Sequence, residues 1–258
     1  MDLGLTGTRA LVVGGRSGIG RAAAAQLARE GALVAIAARS DSVVDAAAAL
    51  AAETGGTVVG VVLDSTDEES VRAGVAAAAE ALGGGIGVLV NTAADAWTAD
   101  KNRGALETTP EFLLGQIDTK TVGYLRTAQA VIPGMRQRGW GRIINISGLG
   151  TRLSSTITQT VRNVGVSALT KNLADEFGPD GITAVVVHPG ATRTEAWDRQ
   201  DPDTRRRTEE GAARNSVHRP IDATEVADVI AFLASPRSGA ITGDAIPAGG
   251  GQPTFVSY

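Results

Sequence analysis

The chain has no cysteine, which removes disulfides, thiolate nucleophiles and thiolate metal sites from consideration. Histidine is almost as scarce, with only His188 and His218, too few for the usual imidazole-based metal centre, and no metal is expected. Aromatic residues make up 3% of a chain that is 43% hydrophobic, so Ala, Val, Leu and Ile must pack the core. There is no excess of positive charge: 24 Lys and Arg against 28 Asp and Glu give a net charge of −4, which excludes the basic face needed for nucleic acid or an anionic membrane. No apolar run is long enough to span a bilayer. The first residues, Met1-Asp2-Leu3-Gly4-Leu5-Thr6-Gly7, carry neither the basic nor the long apolar stretch of a leader. A cytoplasmic protein acting on a small molecule is therefore expected.

What the chain does have is glycine in a particular order. Ala10-Leu11-Val12-Val13 reads as a buried strand, Gly14-Gly15-Arg16-Ser17-Gly18-Ile19-Gly20 as a turn, and the Ala-rich run to Glu30 as a helix. Gly14 permits the tight turn, Gly18 leaves room for phosphates, and Gly20 lets helix and strand pack closely, while the helix N-terminus offers free N–H groups and a positive dipole. This is the pattern of a dinucleotide cradle formed by Gly14, Arg16, Ser17, Gly18, Ile19 and Gly20. A second apolar run, residues 32–38, ends at Arg39. In such a fold an acid at this strand end binds a ribose 2′-hydroxyl, whereas an arginine can bind a 2′-phosphate. No acid stands there, since Asp41 comes two residues later, and Arg16 supplies a second cation; NADP(H) is favoured over NAD(H) unless both arginines are ordinary surface charges.

Strand and helix patterns then alternate. A helix over 43–53 leads to a buried strand over 58–63, which ends in Asp64-Ser65-Thr66-Asp67-Glu68-Glu69. Thr66 and Glu69 fit a capping box, and Asp64, at the strand end, either accepts a bond from an adenine amino group or shapes the turn. Further strands are expected over 86–90, 142–146, 183–187 and 240–248, with long helices over 110–135 and 156–177 and a last helix over 222–234. Val161, Val164, Ala168, Leu169 and Leu173 are expected to line one face of the second long helix. The charged stretch 195–219, with Arg205, Arg206 and Arg207, reads as a lid or surface excursion. The alternation implies one α/β domain over 1–258, a three-layer Rossmann-like fold around a doubly wound, mostly parallel sheet of seven strands.

Taken in order, these residues resemble the short-chain dehydrogenase/reductase family over nearly the whole chain. Gly14, Gly18 and Gly20 match its glycine turn, and Asp64 with Ser65 the adenine contact. Asn91-Thr92-Ala93-Ala94 is similar to its Asn-Asn-Ala-Gly motif, and Pro189-Gly190 with Thr194 to its Pro-Gly…Thr segment. The resemblance implies that Thr194 holds a nicotinamide carboxamide and that the chain forms a homodimer or homotetramer through its two long helices and C-terminal segment. Family members pass a proton through a Tyr-x-x-x-Lys pair, assisted by a Ser and an Asn. Here the aligned positions are Gln159 and Asn163 for the pair, Gly148 with Ser147 one residue early for the Ser, and Lys120 for the Asn.

A neutral amide cannot exchange a proton near neutral pH as a positioned phenol does, so the family's usual carbonyl chemistry is not expected. Three readings remain open: hydride transfer from NADPH to an acceptor that needs no tyrosine, such as an activated enone or an iminium; non-redox chemistry such as cyclisation, dehydration or isomerisation; and a non-catalytic partner protein. Lys120 is the first candidate for a replacement acid or base, unless it is a solvated lysine on an amphipathic helix. Asp118, Arg152, Arg162, Asp95 and His218 are further candidates, whereas His188, beside Pro189, reads as filling a strand end.

Overall fold

The computed structural model describes residues 2–94, 104–151 and 156–251. Seven parallel strands form its centre: β1 (Arg9–Val13), β2 (Leu33–Ala38), β3 (Val58–Val62), β4 (Val88–Asn91), β5 (Gly141–Ile146), β6 (Ile182–Pro189) and β9 (Ala245–Ala248), in the spatial order β3-β2-β1-β4-β5-β6-β9. The chain runs outward from β1 in one direction and then restarts at β4 beside it, with Val12 paired to Ile36 on one side and to Val90 on the other. That reversal opens a crevice at the carboxyl ends of β1 and β4.

Alternation along each strand divides the core. Ala10 and Val12 pack with α1 (Gly18–Arg29), α2 (Ser42–Thr54) and α9 (Ala223–Ala234), and Leu11 and Val13 with α3 (Glu68–Ala81), α5 (Gly123–Arg138) and α6 (Ile157–Phe177). Both faces of the sheet are covered, which is why its strands read as unbroken apolar runs. The three-layer, doubly wound expectation is met in a single α/β domain.

Several local expectations are corrected. α3 is capped by Asp67, whose carboxylate accepts from Ser70 N at 2.9 Å, and not by a Thr66–Glu69 box, because the Thr66 hydroxyl donates to Asp64 Oδ1 at 2.8 Å. The first long helix is not uniform: α4 (Pro110–Ile117) passes through a π-helical turn, Asp118–Val122, into α5. The last strand spans Ala245–Ala248 only, because Gly243 turns the chain at φ +73°. On α6 the buried stripe is Asn163, Val166, Thr170, Leu173 and Ala174, while Val161, Val164 and Ala168 face outward. The helix is rotated from its apolar pattern because Asn163 and Thr170 turn inward to hydrogen-bond buried groups.

The charged excursion folds into α7 (Glu195–Asp198) and α8 (Pro202–Ala212), and its ends are pinned where β7 (Thr192–Arg193) pairs with β8 (Ile221–Asp222). It docks through Trp197, Ala212 and Asn215, all buried. No described helix is long and apolar enough to cross a membrane.

Candidate functional site

At the carboxyl ends of the strands lies a cleft of about 630 Å³. Its floor is the glycine turn. Gly14 sits at φ +85°, and a Cβ there would lie 2.6 Å from Thr92 Oγ1; one on Gly20 would overlap both Thr92 Oγ1 and the Gly14 carbonyl. The absent side chains bring the N-terminus of α1 against β4, with Thr92 Oγ1 donating to Val13 O at 2.8 Å. Ser17, at the N-cap, makes no side-chain cap bond. The N–H of Gly18 instead donates to Glu195 Oε2 at 2.8 Å, so a carboxylate already sits where this turn presents its dipole. A cradle that a Cβ would fill and that accepts an anion fits a dinucleotide pyrophosphate.

The cleft wall brings together most of the residues expected to hold a nucleotide. Arg16, Ser17, Gly18, Ile19 and Gly20 line it from one side, Arg39 from the end of β2, Asp64 and Ser65 from the end of β3, and Thr194 from the foot of α7. Asp64 both lines the cleft and shapes the turn, accepting from Thr66 N at 2.9 Å. Burial pushes the Asp64 carboxyl up, but the bonds from Thr66 and the positive charges of Arg39 and Arg126 outweigh this and hold it below the ordinary aspartate range.

Other expected residues stand elsewhere. Asn91 is fully buried behind the cleft: its amide donates to Asn145 Oδ1 at 3.0 Å, and its Oδ1 accepts from Thr127 Oγ1 at 2.9 Å. Asn145 is its register partner on β5 and donates in turn to Thr170 Oγ1 on α6. This chain of bonds ties β4, β5, α5 and α6 together, and Thr92, Ala93 and Ala94 line the cleft in its stead. Pro189 and Gly190 are not among the lining residues; Gly190 packs against Gly249 and Leu149.

The four aligned catalytic positions converge only in part. Lys120 is on the π-helical turn and is 4% exposed, which rules out the solvated-lysine reading. Its Nζ donates to Asn163 Oδ1 at 2.9 Å and to the Ser147 carbonyl at 3.1 Å. Burial, and then the positive charge of Arg162, lower Lys120 to about 7. The Ser147 hydroxyl donates to the backbone carbonyl of Asn163 at 3.0 Å. A Cβ on Gly148 would approach Asn163 Nδ2 at 3.1 Å. Gln159 lies in the first turn of α6, one turn before Asn163, its backbone N–H donating to Thr156 Oγ1. Tyr124, one turn after Lys120, donates its hydroxyl to Ile146 O at 3.1 Å, and burial raises its phenol above the ordinary range.

Of the weaker candidates, Asp118 is paired with Arg126 at 2.8 Å, and Arg162 donates to Gln116 Oε1 at 2.5 Å. His188 is buried with Nε2 at 3.5 Å from Thr151 Oγ1, as a residue filling a strand end would be. His218 is exposed on the turn after α8, with Nδ1 at 3.0 Å from Ala213 O. Asp95 and Arg152 lie outside the described residues. Sequence reasoning missed Glu195; the signal was its place directly after Thr194, at the start of the stretch read as a lid or surface excursion.

Comparison with known proteins agrees with this architecture. A family model described as enoyl-(acyl carrier protein) reductase matches residues 13–252. The short-chain reductase protein NovJ of Streptomyces niveus is 33% identical over 249 residues, covering 95% of this chain and 93% of that protein. A 7alpha-hydroxysteroid dehydrogenase of Clostridium sardiniense is 35% identical over 243 residues, covering 93% and 90%. The crystal structure of L-sorbose reductase from Gluconobacter frateurii, complexed with NADPH and L-sorbose, superposes with a TM-score of 0.89 at 28% identity, covering 99% of this chain and 100% of that one. In its glycine turn, its sheet order and nearly its whole length, the chain belongs to the short-chain dehydrogenase/reductase family of oxidoreductases.

Proposed function

We propose that the chain is an NADP(H)-dependent reductase of a small organic substrate that delivers its proton without the family's Tyr-Lys pair. The observation that carries this reading is the pairing of Arg16 and Arg39 on one cleft with the glycine turn, and no acid at the end of β2. Two guanidiniums suit a 2′-phosphate, whereas a ribose 2′-hydroxyl would call for a carboxylate. Gly18 and its neighbours on α1 would hold the pyrophosphate, Asp64 and Ser65 the adenine end, and Thr194 the nicotinamide. The bound cofactor would supply a hydride. The NADPH carried by the L-sorbose reductase structure supports the same preference.

Gln159 and Asn163, at the aligned positions, have no ionisable group, which favours acceptors whose reduction asks little of a phenol, such as activated enones and iminium ions. The same observation favours a second reading, a non-redox cyclase, dehydratase or isomerase. Val161, Val164 and Leu114, apolar and exposed on the packed pair α6 and α4, support a homodimer or homotetramer built on these helices.

The test is a titration of nucleotide-free protein with NADPH and NADH, followed by a panel of enones and imines at saturating NADPH. NADPH bound more tightly than NADH, and consumed with at least one acceptor, is the expected result. Folded protein that never consumes NADPH overturns the reductase reading, and turnover with the cofactor removed establishes the non-redox one. Size-exclusion chromatography that shows only monomer overturns the oligomer.

A further inference from the structure

A lysine nitrogen is tetrahedral, with three N–H bonds when charged and two plus a lone pair when neutral. Two of those positions on Lys120 are taken in either state, by the Ser147 carbonyl at 3.1 Å and by Asn163 Oδ1 at 2.9 Å. Both acceptors are fixed. Ser147 N donates to Val187 O at 2.9 Å, anchoring the end of β5, and the Ser147 hydroxyl donates to the backbone of Asn163 at 3.0 Å. The remaining position holds either one proton or one lone pair. Thr119, which precedes Lys120, and Ile146, which precedes Ser147, both line the cleft, whereas Lys120 and Ser147 do not, so the buried lysine stands one residue behind the wall.

From α6 comes the cation Arg162, held by Gln116; from α5 the phenol of Tyr124, donating to Ile146 O; and from the π turn Asp118, whose carboxylate is engaged by Arg126. The residue after β5 presents the Ser147 carbonyl. Among the described residues no carboxylate bonds to Lys120, while burial and Arg162 favour the neutral amine.

We propose that Lys120 is the acid–base group of this site, with its third valence supplying the proton to an α,β-unsaturated carbonyl or imine acceptor. The inference rests on the reductase reading above. With the cofactor bound, the nicotinamide would supply the hydride for the acceptor's new C–H bond, and the electron pair of the acceptor's double bond would move to the far carbon or nitrogen. That atom takes the proton, the Nζ–H bond breaks, and its electrons stay on the neutral amine, which solvent then reprotonates.

The chain holds three lysines, Lys101, Lys120 and Lys171, so full-length protein labelled with carbon-13 at lysine Cε gives three resonances. The one lost in Lys120→Arg is followed from about pH 5 to about pH 11. It is expected to titrate near neutrality in the wild type and at higher pH in Arg162→Gln. Titration in the ordinary lysine range overturns the proposal, and needs no variant fold or substrate. With an acceptor in hand, Lys120→Arg, which cannot release its proton, is expected to keep NADPH affinity and to lose at least about a hundredfold in turnover. Unchanged turnover overturns it. Failure of the reductase reading shows separately, as absence of NADPH binding by the wild type.

Discussion

The carboxylate of Glu195 accepts a 2.8 Å hydrogen bond from the backbone N–H of Gly18, the first residue of α1. α1 has no acid in its own first turn and no side-chain cap, so this contact, reaching 177 residues along the chain, supplies the anion that the helix dipole favours. A pyrophosphate on the same turn has to displace it. Glu195→Ala is therefore expected to tighten NADPH binding by about two- to fivefold, the range set by about 0.3–1 kcal/mol for an exposed charge at a helix end. The gain should shrink as salt screens the contact. Weaker binding in the variant, measured by nicotinamide fluorescence, would mean that Glu195 holds the cofactor and does not compete with it.

If NADP(H) is preferred as proposed, Arg39 is the residue to read its 2′-phosphate. It lines the cleft beside Asp64, and its charge is one of the forces that keep the Asp64 carboxyl low. Arg39→Ala is expected to weaken NADPH binding by about tenfold, the scale of a charge-assisted contact partly open to solvent, while leaving NADH affinity nearly unchanged. Equal losses for both nucleotides would show that Arg39 does not read the 2′-phosphate.

Lys120 makes stability depend on pH in a stated direction. Its ordinary value of 10.5 is lowered to about 7 in the fold, so between these limits the unfolded chain binds more protons than the folded one. Stability should therefore climb as pH rises from about 7 to about 10.5, by up to about 1.4 kcal/mol per pH unit from this group. Below that window the protonated lysine destabilises the fold by its full amount. Lys120→Met keeps the stem and removes the titration. Urea denaturation at several pH values should show the slope in the wild type and its loss in the variant; identical slopes would mean that Lys120 titrates normally.

Why these residues were legible or not follows from the forces involved. The sheet was, because strands buried on both faces must be apolar throughout, and the glycine turn was, because no Cβ fits at Gly14 or Gly20. The outward face of α6 was not, because periodicity counts apolar residues and Asn163 and Thr170 face inward as polar ones. Asn91 shows the same limit: a motif located the residue, but its register with Asn145 and its bond from Thr127 on α5 explain why its side chain is buried behind the cleft. Lys120 was found by position, and its burial was not, since one lysine on a helix looks the same in sequence whether it is solvated or enclosed. Its partner across the hydrogen bond is a residue 43 positions later, a distance that no local pattern reports.

That partner completes an exchange. The resemblance puts an amide where Lys120 stands and a lysine where Asn163 stands, and the structure joins the two by a 2.9 Å bond. If one cation and one amide across that bond are what the site requires, the two positions must be coupled. Lys120→Asn alone removes the donor serving the Ser147 carbonyl and Asn163 Oδ1, leaving buried acceptors at a cost of about 1–3 kcal/mol. Asn163→Lys alone sets a second amine beside the first, with Arg162 already adding positive charge and, among the described residues, no carboxylate bonded to Lys120 to balance it. Combined, the two substitutions restore one cation and one amide with their places reversed. The double variant is expected to be more stable than the sum of the single losses predicts, by about 1–3 kcal/mol of coupling in urea denaturation. Additive losses would mean that the lysine and the asparagine are independent, and that their transposition has no common physical cause.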